Sequence, residues 1–93
     1  MISDSALNDF ITSDKTVIVL FVKESCKSCG EVRPIVDSMG PPLLVVDLED
    51  DEFFATKYSF TMVPTVIVFR DGKVKEHIEE PRTEEVYRDL IFR

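Results

Sequence analysis

Thr16-Val17-Ile18-Val19-Leu20-Phe21-Val22 leads, through Lys23-Glu24, into Ser25-Cys26-Lys27-Ser28-Cys29-Gly30, which holds the only two cysteines of the 93-residue chain. The first run is β-branched and aromatic, apolar at consecutive positions and too short for a free-standing helix, so it reads as a strand covered on both faces. The cysteines therefore stand where a buried strand ends. Beyond them Cys29, Val32, Ile35, Val36 and Met39 fall on one helical face, and Gly40-Pro41-Pro42 supplies a stop. Cys26 then caps a helix and Cys29 lies inside it. Three residues apart across a first helical turn, their Cα atoms should be roughly 5 to 6 Å apart, which a reversible disulfide tolerates.

That placement makes the two sulfurs unequal. Cys26 faces the unpaired N–H groups and positive dipole end of the helix, whereas Cys29 points toward the core. Cys26 is the candidate nucleophile and Cys29 the candidate resolving thiol. A free thiol of pKa near 8.5 is only about 3% thiolate at pH 7, and lowering it to about 7 takes roughly 2 kcal/mol. A helix dipole contributes about 0.3 to 1 kcal/mol. The amides around Ser28 and Cys29, the Ser28 hydroxyl and the charges of Lys27 and Lys23 are expected to supply the rest, with Glu24 working against them.

The length predicts one domain over residues 1–93. The composition, 44% hydrophobic and 31% charged, is that of a soluble globular protein, and no apolar stretch approaches a membrane span, so no membrane role is expected. Met1-Ile2-Ser3-Asp4-Ser5 lacks the basic and apolar regions of a secretory signal, and a cytoplasmic location is the expectation. Two cysteines and one distant histidine, His77, are too few for a disulfide scaffold or a tetrahedral zinc site. A redox pair survives both exclusions. A net charge of −7 without a basic stripe argues against nucleic acid and favours partners with basic surfaces.

Ala6, Leu7, Phe10 and Ile11, with Ser3 or Asp4 as cap, predict an amphipathic helix over residues 3–13. After the cysteine helix, Leu43-Leu44-Val45-Val46-Asp47-Leu48 predicts a second strand, and a helical crossover between two such strands makes them parallel and right-handed. The acid run Glu49-Asp50-Asp51-Glu52 is expected to open a short helix reaching about Tyr58, as a solvated cap rather than a metal site. Thr65-Val66-Ile67-Val68-Phe69 is a third buried strand, and Asp71-Gly72 signals a hairpin to an antiparallel fourth, residues 73–79. Counting by twos, Val74 and Ile78 share one face of that charged edge strand, with His77 on the other as an exposed residue. Thr83 followed by Glu84 and Glu85 starts a last helix packed through Val86, Tyr87, Leu90 and Ile91. Pro64 heads the third strand, where base rates for X-Pro bonds, about 5 to 6% cis, favour an ordinary trans bond.

This order of elements, with Cys26-Lys27-Ser28-Cys29, Pro34 five residues past the second cysteine, and Met62-Val63-Pro64-Thr65 leading through a strand to Asp71-Gly72-Lys73, resembles the thioredoxin family over essentially the whole chain. The Gly-Gly and Asp that glutaredoxins usually carry after the proline strand are not present. The resemblance implies an α/β thioredoxin-like fold: a mixed four-stranded sheet of order 2-1-3-4 flanked by helices, lacking the family's usual first strand. It also implies that Val63-Pro64 is cis and faces the cysteines, and that Val63 backbone groups pair with a substrate segment as an added strand. Ser25, Lys27, Ser28, Met62, Val63, Pro64 and Glu80 are the positions expected to meet substrate.

The departures from the family pattern carry expectations of their own. Ser25 replaces a tryptophan, Lys27-Ser28 replaces Gly-Pro, Leu20 stands where the family buries an aspartate and Val45 near its lysine partner. Without that acid, Cys29 is expected to lose its proton to water or to Glu24, which slows the second step. Glu79-Glu80-Pro81 replaces a Gly-rich substrate loop and should favour basic substrates. Lys27 and Ser28 should stabilise the Cys26 thiolate and make the disulfide more oxidising than an ordinary thioredoxin's.

The leading expectation is thus a thiol-disulfide oxidoreductase acting on disulfide-containing protein substrates, recharged by a disulfide reductase or glutathione, monomeric, and using no metal or organic cofactor. The alternative is a non-catalytic thioredoxin-like binding module; a glutaredoxin-like dimer bridging an iron-sulfur cluster through Cys26 is a third, remoter reading.

Overall fold

The computed structural model describes residues 2–49 and 51–93. Among these the elements are α1 (Asp4–Ile11), β1 (Thr16–Val22), α2 (Lys27–Asp37), β2 (Leu43–Asp47), α3 (Phe53–Lys57), β3 (Thr65–Arg70), β4 (Lys73–Glu79) and α4 (Glu84–Phe92). β1 pairs with β2 in parallel and with β3 antiparallel, and β3 pairs antiparallel with β4, giving the order β2-β1-β3-β4. This is the expected mixed sheet.

Side chains alternate along a strand, so β1, with Val17 through Phe21 all buried, must be covered twice. Val17, Val19 and Phe21 pack with Leu7 and Ile11 of α1, Phe54 of α3, and Ile67 and Phe69 of β3. Ile18 and Leu20 pack with Val32 and Val36 of α2, Tyr87 and Ile91 of α4, and Val66 and Val68 of β3. Each such side chain contributes about 1.5 to 3 kcal/mol through burial. The central strand therefore holds both halves of the core.

The helix ends follow local chemistry. The Ser3 hydroxyl caps α1 by accepting from the Ala6 N–H at 3.1 Å. α1 stops at Ile11 rather than 13, because the hydroxyls of Thr12 and Ser13 turn back onto the carbonyls of Asn8 and Phe10. α2 carries Pro34 within it and ends before Gly40, whose φ of +111° provides the expected stop. Asp71 and Gly72 both have positive φ, the backbone of a tight two-residue hairpin.

Two expectations are corrected. α3 begins at Phe53, not within the acid run; Glu49 takes a left-handed φ of 55° that no helix continues through, and the Asp51 carboxylate accepts from the Phe53 N–H at 2.7 Å. Asp50 lies outside the described residues. On β4, Val74 and Ile78 do not share a face, because a bulge shifts the register between Val68 and Phe69 of the partner strand. Val74 pairs with Phe69 and is half-exposed, whereas Ile78 pairs with Val66 and is buried against α2 and α4. His77 pairs with Ile67, and so lies on Val74's side of the sheet and opposite Ile78.

Candidate active site

β1 ends at Val22, and a turn closed by the Cys26 N–H donating to the Lys23 carbonyl at 3.0 Å delivers the chain to α2. Cys26 is the N-cap of α2, extended in backbone, and its sulfur accepts the Cys29 N–H at 3.1 Å. A sulfur thus does what a serine or aspartate oxygen does at an ordinary cap. The Ser28 hydroxyl stands 3.6 Å from the same sulfur. Cys26 and Cys29 form a disulfide with Cα atoms 5.4 Å apart, within the span their spacing predicts.

The pair is asymmetric in exposure. Cys26 is half-buried at the mouth, while Cys29 is 5% exposed on the core side of the helix. Among the described residues no side chain hydrogen-bonds the Cys29 sulfur. Leu20 is fully buried among Val32 and Val36, and Val45 packs at the edge of the same cluster, so apolar packing fills these positions.

A second segment converges on this point. Phe21 pairs with Thr65 at the last step of the β1–β3 ladder, so Val63 and Pro64, which precede Thr65, lie beyond the same end of β1 as the cysteines. The Val63-Pro64 bond is cis, as the resemblance implies and against the base rate. Residues 61–64 arrive from the end of α3, where Ser59 at φ 57° turns the chain and the Phe60 and Ser59 amides close back on the carbonyls of Ala55 and Thr56. Phe60 is buried beneath the sheet's α1 and α3 layer and anchors that entry. The Thr65 hydroxyl then donates to the Met62 carbonyl. No hydrogen bond among the described residues takes up the Val63 backbone N–H or C=O.

Beside residues 59–63 runs a cleft of about 530 Å³, with Leu48, Ala55, Phe60, Met62 and Val63 as its apolar lining and Lys23, Asp51 and Glu52 among its charged lining; neither cysteine lines it. A smaller cleft of about 360 Å³ lies on the other side of Lys23, lined by Glu24, Ser25, Asp47 and Glu49. Of the residues expected to meet substrate, Met62 is 44% exposed, Val63 is half-buried and Pro64 is buried. Ser25 and Lys27 are exposed beside the half-buried Ser28. Glu80 lines neither cleft; it is exposed with φ of 74°, and its carboxylate is 3.5 Å from Arg82. The acid that touches the converging segment is its neighbour Glu79, which accepts the Thr61 N–H at 2.8 Å. Sequence reasoning had no signal for that contact, since it depends on the β4 bulge.

The fold and this constellation define a thioredoxin-like protein with a Cys-x-x-Cys pair. The chain belongs to the thioredoxin family, whose model, Thioredoxin, matches residues 1–92. It is 31% identical to the thioredoxin of Chlamydia trachomatis over 82% of this chain and 78% of that one. It is also 31% identical to the chloroplastic M-type thioredoxin of Spinacia oleracea over 83% of this chain, but spans only 46% of that protein's length. The solved thioredoxin of Fasciola hepatica superposes with a TM-score of 0.81 at 26% identity, covering 95% of this chain and 90% of that one. Family, fold and a closed cysteine pair together support thiol-disulfide oxidoreductase activity.

Proposed function

We propose that the protein is a dithiol-disulfide oxidoreductase of protein substrates, with Cys26 as nucleophile and Cys29 as resolving thiol. The Cys26 thiolate attacks one sulfur of a substrate disulfide; a Cys26-substrate bond forms, the substrate S–S bond breaks, and the departing sulfur takes up a proton. Cys29, once deprotonated, attacks the Cys26 sulfur and expels the second substrate thiol. Two electrons pass to the substrate and the protein pair becomes the disulfide. The observation that carries this reading is the cap itself: the sulfur of Cys26 already sits where the Cys29 amide and the helix N-terminus stabilise negative charge.

Residues 62–64 hold the substrate in this proposal, the free N–H and C=O of Val63 pairing with an extended segment that lies over the cleft. Lys27 at the first position of α2 and the Ser28 hydroxyl further favour the thiolate. The pair should therefore have a reduction potential above the roughly −270 mV of thioredoxin, and a redox titration against glutathione returning that value or lower would contradict it. The proposal extends to recharging by a disulfide reductase or glutathione, and to a monomer acting in the cytoplasm.

The direct test is the Cys29→Ser variant, which should accumulate Cys26-linked mixed disulfides with protein substrates, while Cys26→Ser accumulates none. A Cys29→Ser protein that captures nothing from a reducible protein disulfide would contradict the assignment. Ser25 in place of a tryptophan and Leu20 in place of a buried acid favour the second reading, a non-catalytic binding module. A Cys26→Ser, Cys29→Ser double variant that still fulfils the cellular role would select it.

A further inference from the structure

We propose that Glu79 is a positioning residue that sets the register in which a substrate strand is received; the inference rests on the oxidoreductase reading above. Residues 61–63 carry six backbone N–H and C=O groups ahead of β3, and side chains on one cross-strand pair take two of them. Thr65 and Glu79 are partners across β3 and β4. The Thr65 hydroxyl donates to the Met62 carbonyl, and Glu79 Oε1 accepts from the Thr61 N–H at 2.8 Å. Among the groups the segment leaves open to a substrate strand are the N–H and C=O of Val63, next to the cis bond.

Glu79 also has His77 beside it. Its second oxygen, Oε2, lies 3.8 Å from His77 Nε2, and the His77 ring packs edge-on against Phe60, with centroids 6.3 Å apart and planes at 87°. Phe60 is the buried residue that precedes Thr61. The chain of contacts runs from Phe60 through His77 and Glu79 back to Thr61, tying the end of β4 to the entry of the substrate segment. A carboxylate holding a backbone N–H is a charge-assisted bond, stronger than a neutral one. If the Thr61 N–H were free, an incoming strand would have two donors, two residues apart, on which to register. With Glu79 on the Thr61 N–H, only the Val63 donor of that pair remains.

The bulge makes this possible. The two-residue turn pairs Arg70 with Lys73 and Phe69 with Val74, a register that would continue to place Ile78 opposite Thr65. The extra residue on β4 advances the pairing by one and puts Glu79 there instead, on the side of the sheet from which residues 60–61 arrive.

The test compares wild type with Glu79→Leu and Glu79→Gln on two disulfides: the small aromatic 5,5′-dithiobis(2-nitrobenzoate), which forms no strand, and a peptide with a disulfide to a reporter thiol. In Glu79→Leu, kcat/KM on the peptide should fall about tenfold or more, chiefly through KM, the size expected when one hydrogen bond to a charged group is lost. The small disulfide should react at an unchanged rate, and amide exchange at Thr61 should accelerate. Glu79→Gln, whose amide oxygen can accept the same bond, should recover both peptide kinetics and Thr61 protection. Equal loss on both disulfides, an unaffected peptide reaction in Glu79→Leu, or a Gln variant as impaired as Leu would each overturn the positioning role. Wild type inert toward both disulfides would instead overturn the oxidoreductase reading, and this inference with it.

Discussion

Cys26 and Leu20 together define what is particular about this chain at the scale of single residues. The sulfur of Cys26 caps α2 and meets the Cys29 amide and Ser28 hydroxyl, so the first step has its stabilising groups in place. The second step does not. Cys29 is nearly sealed, and no side chain among the described residues hydrogen-bonds its sulfur. Release of product from the mixed disulfide should therefore follow the ionisation of Cys29 itself, rising about tenfold per pH unit below its pKa, as expected where no positioned base assists. Stopped-flow measurement of the two steps across pH would check this; a release rate flat between pH 6 and 8 would reveal a base that the geometry does not show. The cap position of Cys26 and its bond to Cys29 were legible from sequence, because three-residue spacing at a strand-to-helix junction allows little else. Glu79 was not, because nothing in Lys73-Val74-Lys75-Glu76-His77-Ile78-Glu79 marks where a strand takes an extra residue.

The elements differ in how openly the sequence declares them. β1, β3, α2 and α4 carry long, regular patterns and clear caps, and they fall within a residue or two of the positions that periodicity predicts. α3 starts later than its acid content suggests, because the left-handed Glu49 ends any continuous run and Asp51 does the capping from outside the helix. An Asp51→Ala substitution should lower stability by about 1 kcal/mol, the typical cost of losing a cap. Urea unfolding should show this as a lower midpoint with an unchanged slope. Thr83→Ala, which removes the hydroxyl accepting the Val86 N–H at the start of α4, should cost a similar amount, about 1 kcal/mol. The parity of β4 departs from simple alternation for the reason that makes Glu79 useful: one inserted residue exchanges the faces of everything beyond it.

Over the whole molecule, two layers of helices meet on one central strand, and α4 is held to the loop beyond β4 by a buried tyrosine. The Tyr87 hydroxyl accepts from the Arg82 N–H at 3.1 Å and donates to the Glu80 carbonyl at 3.4 Å. Burial pushes the Tyr87 pKa above its usual 10.0, opposed in part by the Arg82 amide, and desolvation shifts Tyr58 the same way. Because the unfolded chain releases these protons first, stability from the buried neutral tyrosines is fully present below pH 10 and is lost as the pH rises from there toward the folded pKa values. Thermal unfolding should show a falling midpoint above pH 10, and Tyr87→Phe should flatten that fall while lowering stability at neutral pH by about 1 kcal/mol, the worth of the lost hydrogen bond. A Tyr87→Phe protein with an undiminished alkaline slope would assign the effect elsewhere. The net charge of −7 and the Asp51 and Glu52 rim of the larger cleft act at the same scale. Basic peptide disulfides should react faster than acidic ones, by a margin that shrinks as salt is raised.

The two sulfurs share a helix end yet differ in reach. The most direct test is the rate of iodoacetamide labelling of the reduced protein at pH 7, resolved by peptide mass for each cysteine. Cys26 should label faster than free cysteine while Cys29 stays largely unmodified. Equal labelling of both, no faster than the free amino acid, would contradict the central claim.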